Sequence, residues 1–163
     1  MTTLNDQLIT HLDEAHAMEQ NVLRMLDGMI STTDDPAILD ALEHHKLQTQ
    51  KHSDRMEQRL EAHGATPSAA RQIGGVLGAL MKMPLDLVRG ESSGRNARDA
   101  YATEHLEIAS YELLRRVALK AGAQETATAA QEIILDEYAM AKIIEAHWDT
   151  FAELSLREEG ITV

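Results

Sequence analysis

The sequence predicts an all-α fold, a bundle of long helices, and three observations predict it. Apolar residues recur at three- and four-residue spacing over long stretches, which places them on one face of a helix. Alanine, leucine and glutamate are abundant, while aromatic residues make up only 3% of the chain, a balance that favours helix over strand. Sharp stop and start signals divide the chain into segments. The 163 residues read as a single domain, long enough to bury a core. With so few aromatics, that core must be aliphatic.

The first helix is expected over residues 3–29. Asp34-Asp35-Pro36 then supplies a loop, an N-cap and a proline at the first helical position. The second helix is expected over 36–63, and Gly64-Ala65-Thr66-Pro67 repeats the device with a glycine stop, a threonine cap and a proline start. A third segment over 68–89 differs from the rest. It is apolar nearly all round and contains Pro84, which should kink or split it. It reads as a crossover element packed across the bundle or as a subunit-interface segment, with Met81 and Met83 as flexible packing. Gly90 to Gly94 forms a polar break, a fourth helix follows over 95–121, and Ala121-Gly122-Ala123 separates it from a fifth over 124–158.

Each of the four long helices has an ionisable group at the middle of its apolar face. In the first, the stripe is Leu8, Leu12, Ala15, Glu19, Val22 and Leu26. In the second it is Leu42, His45, Thr49, His52, Met56 and Leu60, with Gln48 on an adjoining turn. The fourth segment carries Tyr101, Glu104, Ile108 and Tyr111, and Glu107 shares a face with Glu104. The last carries Ile134, Glu137, Ala141, Ile144 and Trp148. Burying one unpaired carboxylate is costly, and burying several together is worse because like charges raise each other's pKa. A cation at the centre resolves the conflict. Mixed carboxylate and imidazole ligands suit iron, manganese or zinc, and di-iron bundles place Glu and Glu-x-x-His ligands on four facing helices.

The bulk properties exclude several function classes. A formal charge of −12 argues against general electrostatic binding of nucleic acid. Zero cysteines exclude disulfides, thiolate zinc sites and iron–sulfur clusters. The N-terminus has no basic region followed by an apolar one, so a secretory signal is not expected. No stretch reaches the roughly 18 apolar residues of a membrane span, and the expected location is the cytoplasm.

Four short motifs add a resemblance. Glu104-His105-Leu106-Glu107-Ile108-Ala109-Ser110-Tyr111 resembles the Glu-His-Tyr-Glu-Ile-Ala-x-Tyr signature of the bacterial YciE/YciF stress-protein family, a ferritin-like group. His45-Lys46-Leu47-Gln48-Thr49 resembles that family's His-Leu-Glu-Glu-Thr. Ala17-Met18-Glu19-Gln20 matches its first-helix segment at the glutamate, and Asp136-Glu137-Tyr138-Ala139 resembles its Glu-Glu-Lys-Ala. The resemblance implies a ferritin-like antiparallel four-helix bundle in up-down-down-up order, with the long connection carrying the additional helix. It also implies a dinuclear site with Glu19, Glu104, Glu107 and Glu137 as ligands. The family's second-helix glutamate is Gln48 here, a neutral and weaker oxygen donor, and the position one turn after Glu137 is Ala141.

The metal set expected on these grounds is Glu19, Gln48, His52, Glu104, Glu107 and Glu137, with His52 as the nitrogen ligand or else a hydrogen-bonded core imidazole. His45 reads as a core imidazole, His105 as a surface or packing residue, and His16 as a solvated group or one that orients Glu19. Tyr101 and Tyr111 read as core residues whose hydroxyls find partners. The expected cofactor is iron, with manganese or zinc as alternatives and neither haem nor an iron–sulfur cluster. The expected function is a stress-response protein that reacts with peroxide or dioxygen at a di-iron centre, working as a homodimer. The alternative is a metal-free helical bundle acting through oligomerisation or partner binding, favoured by Gln48, Ala141 and the apolar run from Gly74 to Val88.

Overall fold

The computed structural model describes residues 1–68 and 93–162. The helix expected over 68–89, with Pro84, Met81 and Met83, lies outside the described residues except for Ser68. Among the described residues there are five helices: α1 (Leu4–Thr32), α2 (Pro36–Ala62), α3 (Ser93–Lys120), α4 (Gln124–Glu145) and α5 (Trp148–Glu158).

The helix ends follow from local chemistry. Thr3 and Asp6 form a reciprocal capping box at the start of α1. At its other end no basic side chain is present, and the hydroxyls of Ser31, Thr32 and Thr33 donate to the carbonyls of Gly28 and Met29 instead. Asp35 caps α2, accepting from the amides of Ala37 and Ile38 at 3.0 and 3.1 Å, with Pro36 at the first position. The end of α2 is a Schellman motif. Ala65 N–H donates to Leu60 O at 3.0 Å, Gly64 N–H donates to Glu61 O at 2.9 Å, and Gly64 sits at φ +75°. The same motif ends α3 at Gly122.

The fifth helix expected from sequence is two helices. It breaks at Ala146–His147, where neither glycine nor proline interrupts the periodicity. The His147 ring Nδ1–H donates to Ile143 O at 2.7 Å and takes the carbonyl that its own backbone amide would have used. That amide bonds Ile144 O instead. The break turns α5 against the start of α3, where Gly94 N–H donates to Ser155 Oγ at 2.9 Å and the Trp148 ring meets Tyr101 edge-on. A Cβ at position 94 would lie 2.6 Å from Ser155 Oγ, so glycine permits the close approach. Trp148, placed on the inward stripe by its spacing, is consequently 37% exposed.

Cross-helix contacts give the directions. Gln20 bonds Ser53 and Lys46 pairs with Asp27, so α1 and α2 are antiparallel. Met25 meets Thr103 while Glu19 meets Tyr111, so α1 and α3 are antiparallel. Arg59 pairs with Glu125 and Arg55 with Glu132, so α2 and α4 are antiparallel. The order is therefore up-down-down-up, so α2 ends and α3 begins at opposite ends of the bundle. Leu8, Leu12, Met56, Leu60 and Leu114 fill one half of the core, and Val22, Leu26, Leu42, Ala100 and Ile144 fill the other. A polar layer separates the two halves. No helix among the described residues is long and apolar enough to cross a membrane.

Candidate metal centre

Helical periodicity delivers each group of the layer. Glu19 sits seven residues after Leu12 and seven before Leu26, so it occupies the middle of an otherwise aliphatic stripe. The same spacing carries His45 and His52 inward on α2, Glu104 and Glu107 on α3, and Glu137 on α4. All six are buried, and Glu19, Glu107 and Glu137 have no exposed surface.

The six residues form two overlapping groups whose ligand atoms lie within 4.8 Å of one another. One group is His45, Glu104, Glu107 and Glu137, the other is Glu19, His52 and Glu137, and Glu137 belongs to both. His45 Nε2 is 3.2 Å from Glu104 Oε1 and 3.9 Å from Glu137 Oε2. His52 Nδ1 is 2.9 Å from Glu137 Oε1 and 3.9 Å from Glu19 Oε1. These contacts are close enough for ion pairing but lack hydrogen-bond alignment. Among the described residues, both ring nitrogens of His45, His52 Nδ1, Glu19 Oε2, Glu104 Oε2 and every carboxylate oxygen of Glu107 and Glu137 are left without hydrogen-bond partners. Nitrogen and oxygen donors that approach closely yet miss hydrogen-bond geometry converge on points between them. Orphaned atoms in one buried cluster are what a bound cation would satisfy.

Two contacts tie the layer to its surroundings. Tyr111 donates a short hydrogen bond to Glu19 Oε1, so its hydroxyl finds a buried partner as expected. His52 Nε2 lies 3.1 Å from Asp136 Oδ2 at the edge of the bundle.

The electrostatics reflect the crowding of buried carboxylates and imidazoles in the layer. Burial, and then the neighbouring Glu137, push Glu19 up to about 8. Burial pushes Glu104 up to about 7 against the opposing pull of His45. Burial and the charges of Glu137, Glu19 and Glu104 hold Glu107 well above the usual carboxylate range. For His52, burial acts downward, but contacts with Glu137, Glu19 and Asp136 outweigh it and carry the imidazole to about 9. His45 is shifted upward by the same competition. Each of these shifts favours the protonated form of its group.

Of the residues picked out by sequence, Glu19, His52, Glu104, Glu107 and Glu137 are brought together. Gln48 is half-buried on α2. His45 does join them, although it reads from sequence as a core imidazole. Its signal was the stripe itself, since it lies two turns before His52 on the same inward face. His105 is exposed and stacks edge-on against Tyr101 at 4.5 Å. His16 is buried, not solvated, with its Nδ1 unpartnered. Asp136 gave no signal of its own, because its contact with His52 spans 84 positions.

Comparison with known proteins agrees with this architecture. A protein from Xanthomonas campestris is 28% identical, with 97% of this chain and 99% of that one aligned at a TM-score of 0.79. The Escherichia coli stress protein YciF aligns at a TM-score of 0.81 and 19% identity, covering 94% and 99% of the two chains. A ferritin-like, di-iron carboxylate protein from Bacillus anthracis aligns at 0.74 and 18% identity, covering 91% and 99%. No curated protein sequence matches. The fold is thus a ferritin-like helical bundle, in keeping with the resemblance to the YciE/YciF group. A family profile described as a domain of unknown function, DUF892, matches residues 3–156, and the chain belongs to that family.

Proposed function

We propose that this protein is a non-haem metalloprotein that holds two metal ions, iron in the first instance, in the polar layer of its bundle and reacts there with peroxide or dioxygen. The observation that carries the reading is the pair of overlapping acid and imidazole groups sharing Glu137, in which the oxygens of Glu107 and Glu137 and the nitrogens of His45 lack hydrogen-bond partners among the described residues. Charge balance supports it. Glu19, Glu104, Glu107 and Glu137 carry four negative charges when ionised, and two divalent cations carry four positive ones. Glu104, Glu107 and His45 would hold one ion, Glu19 and His52 the other, and Glu137 would contribute to both groups. Paired iron ions at such a site supply two-electron redox chemistry and Lewis acidity toward a small oxygen species. The chain's own contribution is a dry, aliphatic surround and ligands fixed on rigid helices.

The names of the relatives from Escherichia coli and Bacillus anthracis support a stress role and di-iron chemistry respectively. A cytoplasmic homodimer belongs to the same proposal, with the exposed side chains of Leu47, Leu113 and Leu135 as apolar surface for a second copy. The metal-free alternative requires the buried groups to satisfy one another. Tyr111 does this for Glu19, but Glu107 finds no hydrogen-bond partner among the described residues.

The test is anaerobic titration of chelator-treated protein with Fe(II), followed by elemental analysis and a structure of the loaded protein. The expected result is two iron ions per chain at Glu137, with turnover of peroxide or dioxygen that Glu137→Gln abolishes. Protein that takes up no metal at this layer would overturn the reading.

A further inference from the structure

The two imidazoles of the layer are held differently. His52 is anchored from outside by a 3.1 Å hydrogen bond between its Nε2 and Asp136 Oδ2. An ionised carboxylate can only accept, so Nε2 carries the proton. That leaves Nδ1 as the inward-facing nitrogen, toward Glu137 and Glu19, with no aligned partner. Glu19 is anchored as well, by the Tyr111 hydroxyl on Oε1, which leaves Oε2 free. Among the described residues, His45 and Glu107 in the other half of the layer have no such support. Neither ring nitrogen of His45 makes a hydrogen bond, and neither oxygen of Glu107 does.

We propose that Asp136 is a positioning residue that presents His52 to metal through Nδ1. We further infer that the half built from Glu19, His52 and Glu137, braced by Asp136 and Tyr111, is the tighter of two inequivalent sites and fills first. The inference rests on the metal-binding reading above. Its physical basis is pre-organisation. A ligand whose tautomer and ring angle are already fixed loses less freedom on binding, and a hydrogen-bonded carboxylate makes imidazole a better donor. The half containing His45, Glu104 and Glu107 must order its ligands as the ion arrives. Asp136 also directly precedes Glu137, so one turn of α4 supplies both the shared carboxylate and the brace for the facing histidine. Its side chain is 47% exposed, so removing it strands no deeply buried carboxylate of its own.

Zinc serves as a redox-inert probe. The full chain and its Asp136→Ala and Asp136→Asn variants are titrated with Zn(II) by calorimetry, with circular dichroism confirming that each is folded. Long-range proton–nitrogen correlation spectra of the loaded proteins show which ring nitrogen binds. The wild type should take up two ions in resolved steps, with His52 coordinated through Nδ1 and protonated at Nε2. Asp136→Ala should weaken the first step by about 10–100-fold and leave the second nearly unchanged. Asp136→Asn, which keeps an accepting oxygen, should retain most of the first step. The inference is overturned if His52 binds through Nε2, if Asp136→Ala weakens both steps alike or neither, or if Asp136→Asn is no better than Asp136→Ala. Wild type that binds no zinc would overturn the metal-binding reading itself.

Discussion

Glu107 gives the sharpest separation of stability from function. Its carboxyl is fully buried and neither oxygen has a hydrogen-bond partner. Without metal it is a polar group taken out of water with nothing in return, a cost of about 1–3 kcal/mol on mutational scales. Replacing it with methionine, similar in length and unbranched, should remove that cost with little repacking. In a chain of this size each kcal/mol moves Tm by about 2–4 °C, so metal-free Glu107→Met should melt roughly 2–12 °C above metal-free wild type. Metal should reverse the order. Saturating Fe(II) under anaerobic conditions, or Zn(II), should raise the wild-type Tm substantially, because ligand binding to the native state adds stability by mass action. The variant should gain much less, since one group of converging donors loses a member. Differential scanning calorimetry with chelator and with metal measures both effects. The reasoning is refuted if metal-free Glu107→Met melts below metal-free wild type, which would mean that Glu107 is satisfied in solution.

Two further predictions follow from the same layer. In metal-free protein Glu19 is raised to about 8 and His52 to about 9. Both shifts mean that the folded state holds protons the unfolded state has released, so stability falls as pH rises from about 4.5 through 9; thermal melts in chelator should show this decline, and a flat or rising profile would contradict it. Saturating metal should remove the decline, because the ion and the protons compete for the same atoms. Tyr111→Phe deletes the donor to a buried Glu19 oxygen and should cost about 1–3 kcal/mol of metal-free stability by urea denaturation; a change near zero would show that water replaces the hydroxyl.

Periodicity made the helices legible, and with them the inward face of each. Glu19, Glu104, Glu107 and Glu137 could be read as one set because each interrupts an aliphatic stripe, and a stripe is a local property. The cap at Asp35 and the stop at Gly64 were readable for the same reason, since their hydrogen bonds span only a few residues. The break at His147 was not, because it depends on a ring nitrogen reaching a carbonyl one turn back while α5 gains its contacts with Tyr101 and Gly94.

The sequence alone determined that this chain forms long amphipathic helices and that carboxylates and histidines fall at mid-length on their inner faces. Tertiary structure alone decided how those groups divide. It set Glu137 between two groups of acid and imidazole side chains, brought His45 in beside His52, and gave His52 a contact with Asp136. The physical reason is range. Which way a side chain faces is fixed by the 3.6-residue turn of its own helix, whereas which donors converge depends on the register between helices that are far apart in the chain.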